Sequence, residues 1–111
     1  MSTKPLEADL EAAFNKAVEA QGWESAKLVS PSHNGRPDRL VLAHHGVAAL
    51  AELKRDKNAA IFALQVRELR KAQERGFIAM RIDSLADVAV FVHRVKLAVA
   101  RAQWTGGNHN G

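Results

Sequence analysis

The sequence predicts one α/β domain, a small mixed β-sheet flanked by helices in the order α-β-β-β-α-β-α. Three observations predict it. Apolar residues recur at helical spacing in three separate segments, each bounded by a glycine or by capping residues. Two apolar runs, 40–43 and 47–51, lie either side of His44-His45-Gly46, the pattern of a β-hairpin about a Gly-containing turn. A third run, 77–82, separates the second and third helical segments. All three runs are largely apolar rather than alternating, so helices should cover both faces of the sheet.

Each element follows from local signals. The first helix is expected over residues 5–21: Pro5 suits an opening turn, Leu6, Leu10, Phe14 and Val18 form its stripe, and Gly22 ends it. Residues 26–29 read as a short strand. Residues 30–37 hold the densest cluster of Ser, Pro, His, Asn and Gly and read as a loop before the hairpin. A polar turn, 55–58, offers Asn58 as N-cap of a second helix over 59–75, with Phe62, Val66, Leu69 and Ala72 (or Gln73) as its stripe and Gly76 beyond its end. Residues 77–82 form a compact buried strand. Ser84 and Asp87 resemble a capping box opening a third helix, lined by Leu85, Val88, Val92, Val95 and Val99 and ending near Ala102. Residues 1–104 thus read as one domain and 105–111 as a flexible tail.

Composition narrows the function classes. The chain has 111 residues, 47% of them apolar and 25% charged, which suits a single soluble domain with a modest core. Aromatic residues are few and tyrosine is absent, so alanine, valine and leucine must fill that core. The absence of cysteine removes disulfides, thiolate zinc sites and cysteine nucleophiles together. No apolar run approaches a membrane span and Met1-Ser2-Thr3-Lys4 lacks a secretory core, so a cytoplasmic location is expected, with no membrane partner. A net charge of +4 suits a polyanionic partner such as nucleic acid.

The chemistry concentrates around the hairpin. If His44-His45-Gly46 form the loop, Ala43 faces Val47, and counting back along the ladder sets Asp38 opposite Glu52. Strand side chains alternate, so Glu52 and Lys54 share a face while Leu53 points away. Like charges directly across a sheet are destabilising, and a divalent cation between the two carboxylates would offset them. That arrangement is the signature of a metal-dependent nuclease.

The residues that carry this pattern also resemble a known family. Gly35-Arg36-Pro37-Asp38-Arg39-Leu40-Val41-Leu42, then Ala51-Glu52-Leu53-Lys54, Gln65, Leu69 and Arg75-Gly76-Phe77 resemble the VRR-NUC domain, a compact member of the PD-(D/E)XK nuclease superfamily, in its small stand-alone phage and bacterial form. The resemblance spans residues 6 to 95. It implies a restriction-endonuclease-like core and a Mg²⁺- or Mn²⁺-dependent DNA endonuclease that hydrolyses phosphodiester bonds to leave a 5′-phosphate. By the same resemblance Asp38, Glu52 and the carbonyl of Leu53 would hold the metal. A first-helix glutamate would join them: Glu7, which stands at the family's distance before Lys27, or Glu11 one turn later. Lys54 would orient the attacking water and stabilise developing charge, and Gln65 would support Lys54 or a phosphate. Lys27, Arg36 and Arg39 are the expected nucleic-acid contacts. Relatives imply a homodimer, whose two-fold symmetry would suit branched DNA such as a four-way junction. The segment 59–61 is apolar where relatives tend to be polar.

Two other readings stay open at this level. The chain could be a DNA-binding or assembly module that keeps the nuclease fold without catalysis. It could also be an unrelated α/β protein whose acidic pair is structural and bridged by Arg39 or Lys27. Among the remaining polar residues, His44 and His45 read as exposed turn residues, His33 and His109 as loop and tail residues, and His93 as packing beside the third helix's stripe. Arg67, Arg70, Lys71 and Arg75 fit a DNA track or a solvated helix face equally well. Trp23 reads as core or edge packing, and Trp104 as part of a dimer contact.

Overall fold

The computed structural model describes residues 7–29, 37–53 and 59–107, with the side chains of residues 7, 59 and 105–107 left aside. The elements are α1 (Glu7–Ala20), β1 (Glu24–Lys27), β2 (Arg39–Leu42), a 3-10 turn (His44–Gly46), β3 (Ala48–Glu52), α2 (Ala59–Glu74), β4 (Ile78–Arg81) and α3 (Leu85–Gly107). This is the predicted order. Calls on Pro5, Leu6, the 30–36 loop, the 55–58 turn with Asn58, and residues 108–111 lie outside the described residues.

The four strands form one mixed sheet in the order β1-β2-β3-β4. The first three are antiparallel neighbours and β4 joins parallel to β3, so the chain must cross over between them, and α2 is that crossover. One sheet face carries Val41, Ala49, Ala51 and, just beyond β3 and β4, Leu53 and Ile82. These pack with Leu10, Phe14 and Val18 of α1 and with Val88, Phe91 and Val95 of α3 into a single core. The Phe14 and Phe91 rings meet at its centre, 5.2 Å apart. α2 covers the other face, where buried Leu69 lies and Gln73 Nε2 donates to the carbonyl of Ala79 at 2.8 Å.

The helix boundaries obey the expected local rules. α1 and α2 both end in a Schellman motif, with Trp23 N–H bonded to Val18 O and Phe77 N–H bonded to Ala72 O. Gly22 and Gly76 sit at the left-handed position of these motifs, at φ +82° and +90°. At the start of α3, Ser84 Oγ accepts from Asp87 N–H at 3.1 Å. The Asp87 carboxylate reaches back one residue further than in a standard capping box, to Asp83 N–H.

Five details depart from the sequence-based expectations. β1 lies two residues earlier than 26–29, because an edge strand is defined by its ladder with β2 rather than by its apolar content, and Val29 is left exposed. The buried edge of α2 centres on Gln65 and Leu69, while Phe62 is 45% exposed. α3 buries Phe91 and exposes Leu85. His93, expected to pack, is exposed: it is two residues from both Phe91 and Val95, about 200° around the helix from each. α3 also runs to Gly107, into the expected tail, since terminal glycines weaken the last turn of a helix without having to end it.

Candidate functional site

The site is built where β2 begins and β3 ends. A three-residue turn with His45 at φ +59° and Gly46 at φ +78° closes the hairpin, and Ala43 N–H donates to Val47 O at 2.8 Å. That closure sets the ladder: Leu42 pairs with Ala48, and Arg39 pairs with Ala51. One step beyond the last pair, Asp38 stands opposite Glu52, as the turn length predicted. Here β2 bends. Asp38 N–H bonds to Ala51 O at 3.1 Å, and the Asp38 carboxylate accepts from Leu53 N–H at 3.2 Å. Asp38 is thereby held against the end of β3, next to a Glu52 that is only 1% exposed.

Alternation sorts the neighbours by face. Arg39, Ala51 and Leu53 turn toward α1 and α3, whereas Leu50 and Glu52 turn toward α2. In the parallel ladder Glu52 is the register partner of Arg81, and Ile82 N–H donates to Glu52 O at 2.7 Å. Arg81 therefore shares the α2 face with Glu52. Its Nη1 donates to Oε1 of Gln65, and its guanidinium lies 5.1 Å from the centre of the Phe62 ring. Gln65 is 1% exposed, an unusual depth for an amide. Gln65 and Glu52 are thus both buried on one side of the sheet, with Arg81 between strand and helix. Sequence reasoning missed Arg81, and the signal for it was a single cation inside the apolar run 77–82.

The other predicted residues scatter. Arg39 lies buried on the opposite face, and its Nη2 is 2.7 Å from the Glu11 carboxylate. Among the described residues its Nε is buried without a hydrogen-bond partner. This placement makes Arg39 part of the core rather than a surface contact, and it commits Glu11 to an ion pair. Lys27 is exposed on β1 opposite Arg39 in the ladder. Arg36 and Lys54 lie outside the described residues, as does the side chain of Glu7. His44 and His45 are exposed. Trp23 is buried and Trp104 is 74% exposed.

Among the described residues no three metal-binding side chains come together. The oxygen donors that could serve a metal at the β2–β3 end are two carboxylates, Asp38 and Glu52, and the backbone carbonyl of Leu53. Oxygen donors of this kind suit a hard divalent cation such as Mg²⁺ or Mn²⁺.

No protein-family model matches the sequence, and no curated protein matches it. A solved structure described as a VRR_NUC domain does match, at TM-score 0.67 and 28% identity, over 78% of this chain and 94% of that one. The chain is similar to that VRR-NUC domain over most of its length. A VRR-NUC domain has the PD-(D/E)XK-like fold, and the mixed four-stranded sheet between helices is that fold here. Among the described residues no helix is long and apolar enough to cross a membrane.

Proposed function

We propose that this chain is a VRR-NUC-type, metal-dependent DNA endonuclease that hydrolyses phosphodiester bonds. The observation that carries the reading is the pair of carboxylates, Asp38 and Glu52, on facing positions of adjacent antiparallel strands, with Glu52 buried. Like charges across a ladder repel and a buried carboxylate is costly to desolvate, so stability alone does not favour that pairing. The pairing is understandable if the two groups serve a cation.

Asp38, Glu52 and the Leu53 carbonyl would hold Mg²⁺ or Mn²⁺, with Glu7 as a further ligand directly or through water. When bound, such an ion supplies Lewis-acid stabilisation of charge developing on the phosphate. The chain's own groups do the rest. Leu53 N–H fixes the Asp38 carboxylate. Lys54, next along the chain, is the candidate to orient the attacking water and offset negative charge in the transition state. Gln65, buried on Glu52's face of the sheet, is the candidate to support Lys54 or a phosphate. Lys27 and Arg36 are the candidate phosphate contacts. A four-way junction or other branched DNA is the substrate proposed for it.

The test is a gel assay of the purified protein on labelled duplex, flap and four-way-junction DNA, with Mg²⁺, Mn²⁺ or EDTA, beside Lys54→Ala. We expect cutting only with metal, and loss of at least about 100-fold in the variant, the scale set by removing one stabiliser of transition-state charge. Tight binding without cutting under every metal condition would instead identify a DNA-binding module on a nuclease fold.

A further inference from the structure

We infer that Arg81 is a positioning residue of this site, holding the Gln65 amide and setting the charge beside Glu52; the inference rests on the nuclease reading above.

β4 is short and otherwise apolar: Ile78 and Met80 pack against the core with α1 and α3, and Ala79 is buried under α2. Arg81 breaks this pattern with a full charge, half-buried, at the position whose ladder partner is Glu52. Adjacent strands lie about 4.8 Å apart and partners point to the same face, so the arginine stem starts beside the glutamate stem. A cation is seldom kept in such a place for packing alone, because ordering and partly desolvating a guanidinium is expensive.

The guanidinium is then fixed from the helix side. Phe62 and Gln65 are three residues apart on α2 and present neighbouring side chains. One offers its ring face at 5.1 Å and the other its amide oxygen to Nη1. Stacking on a ring together with an in-plane hydrogen bond suits a planar guanidinium, and a lysine ammonium cannot reproduce both contacts. The consequence for Gln65 is chemical. An amide can present either its oxygen or its NH₂ group to a given neighbour. With Oε1 taken by Arg81, the orientation is decided and Nε2 becomes the end that donates elsewhere. At a centre that binds phosphate, a donor is what that end must be. Arg81 acts through Gln65, and also brings a positive charge next to one of two facing carboxylates.

The experiment measures kcat and KM for DNA cleavage in wild type, Arg81→Lys, Arg81→Met, Gln65→Leu and the double variant Arg81→Lys/Gln65→Leu, with thermal melting of each. Outer partners of a metal-site residue typically contribute about 10–100-fold to activity. We therefore expect Arg81→Lys to melt as wild type does, keep KM, and lose kcat by about that factor. Added to Gln65→Leu it should cause little further loss, because the two residues work as one unit. Arg81→Met, which removes charge as well, should lose more. Wild-type kcat in Arg81→Lys and Arg81→Met alike would overturn the inference while leaving the nuclease reading standing. A full, multiplied loss in the double variant would overturn it as well, since Arg81 would then act independently of Gln65. If wild type never cuts, the nuclease reading falls, and the role of Arg81 falls with it.

Discussion

At the scale of single residues, charge is organised by which face of a strand a side chain occupies. Arg39 and Asp38 are adjacent in sequence, yet Arg39 runs into the core to meet Glu11 at 2.7 Å while Asp38 caps the end of β3. The Arg39 side chain is 10% exposed and that of Glu11 is 41%, so solvent reaches only one end of the pair. Removing Glu11 would leave a buried guanidinium with its Nε already unpartnered among the described residues. Glu11→Ala should therefore destabilise the fold by about 1–2 kcal/mol, less than a fully buried pair would lose. Arg39→Met with Glu11→Leu should recover part of that, because no buried charge is left unmatched. Urea unfolding of the three variants checks both statements. A bridge between Asp38 and Glu52 through Arg39, one structural explanation for the acidic pair, is disfavoured by the face Arg39 takes.

Among elements, the decisive contacts are at the ends. The turn of α2 into β4 runs through Gly76 at φ +90°, a conformation open to glycine and strained for side chains with a Cβ. An added Cβ there would meet nothing within 4 Å, so the cost of Gly76→Ala is torsional alone, about 1–2 kcal/mol. Gly76→Asn should cost less, since asparagine tolerates the left-handed region better. Both values can be read from urea midpoints. This turn matters to function because it sets where β4 begins beside β3, and hence which residue of β4 arrives next to Glu52.

At the scale of the whole molecule, α3 outruns the domain. Its buried positions end with Val95, partly buried Val99 follows, and Trp104 beyond them is 74% exposed. Val90, Leu97 and Trp104 are each about half exposed or more and repeat every seven residues, so they form one apolar stripe on the outer side of the helix. A second copy of the chain on this stripe would give the homodimer that family resemblance implies. Sedimentation equilibrium should then return twice the 12.1 kDa chain mass. Replacing Leu97 and Trp104 by glutamate should return the single mass, with unchanged helicity by circular dichroism. A wild type that stays monomeric at micromolar concentration rules this interface out.

Much of the site was legible in the chain itself. The facing of Asp38 and Glu52 followed from a three-residue turn and the two-residue period of a strand, both local properties. The α1 stripe of Leu10, Phe14 and Val18, the glycine ends of α1 and α2, and the Ser84 cap were equally local. Tertiary structure alone decided the rest. Parallel pairing of β3 with β4 passes through a whole helix, and no count of residues across such a crossover sets a register. The meeting of Glu52 with Arg81 therefore could not be read from spacing. Nor could the burial of Gln65 at the expense of Phe62, because the azimuth of α2 depends on how the helix rolls against the sheet. Arg39 and Glu11 likewise met only through packing of α1 beneath β2. Periodicity within one element is written in the chain, whereas partners brought together by packing depend on the relative placement of elements.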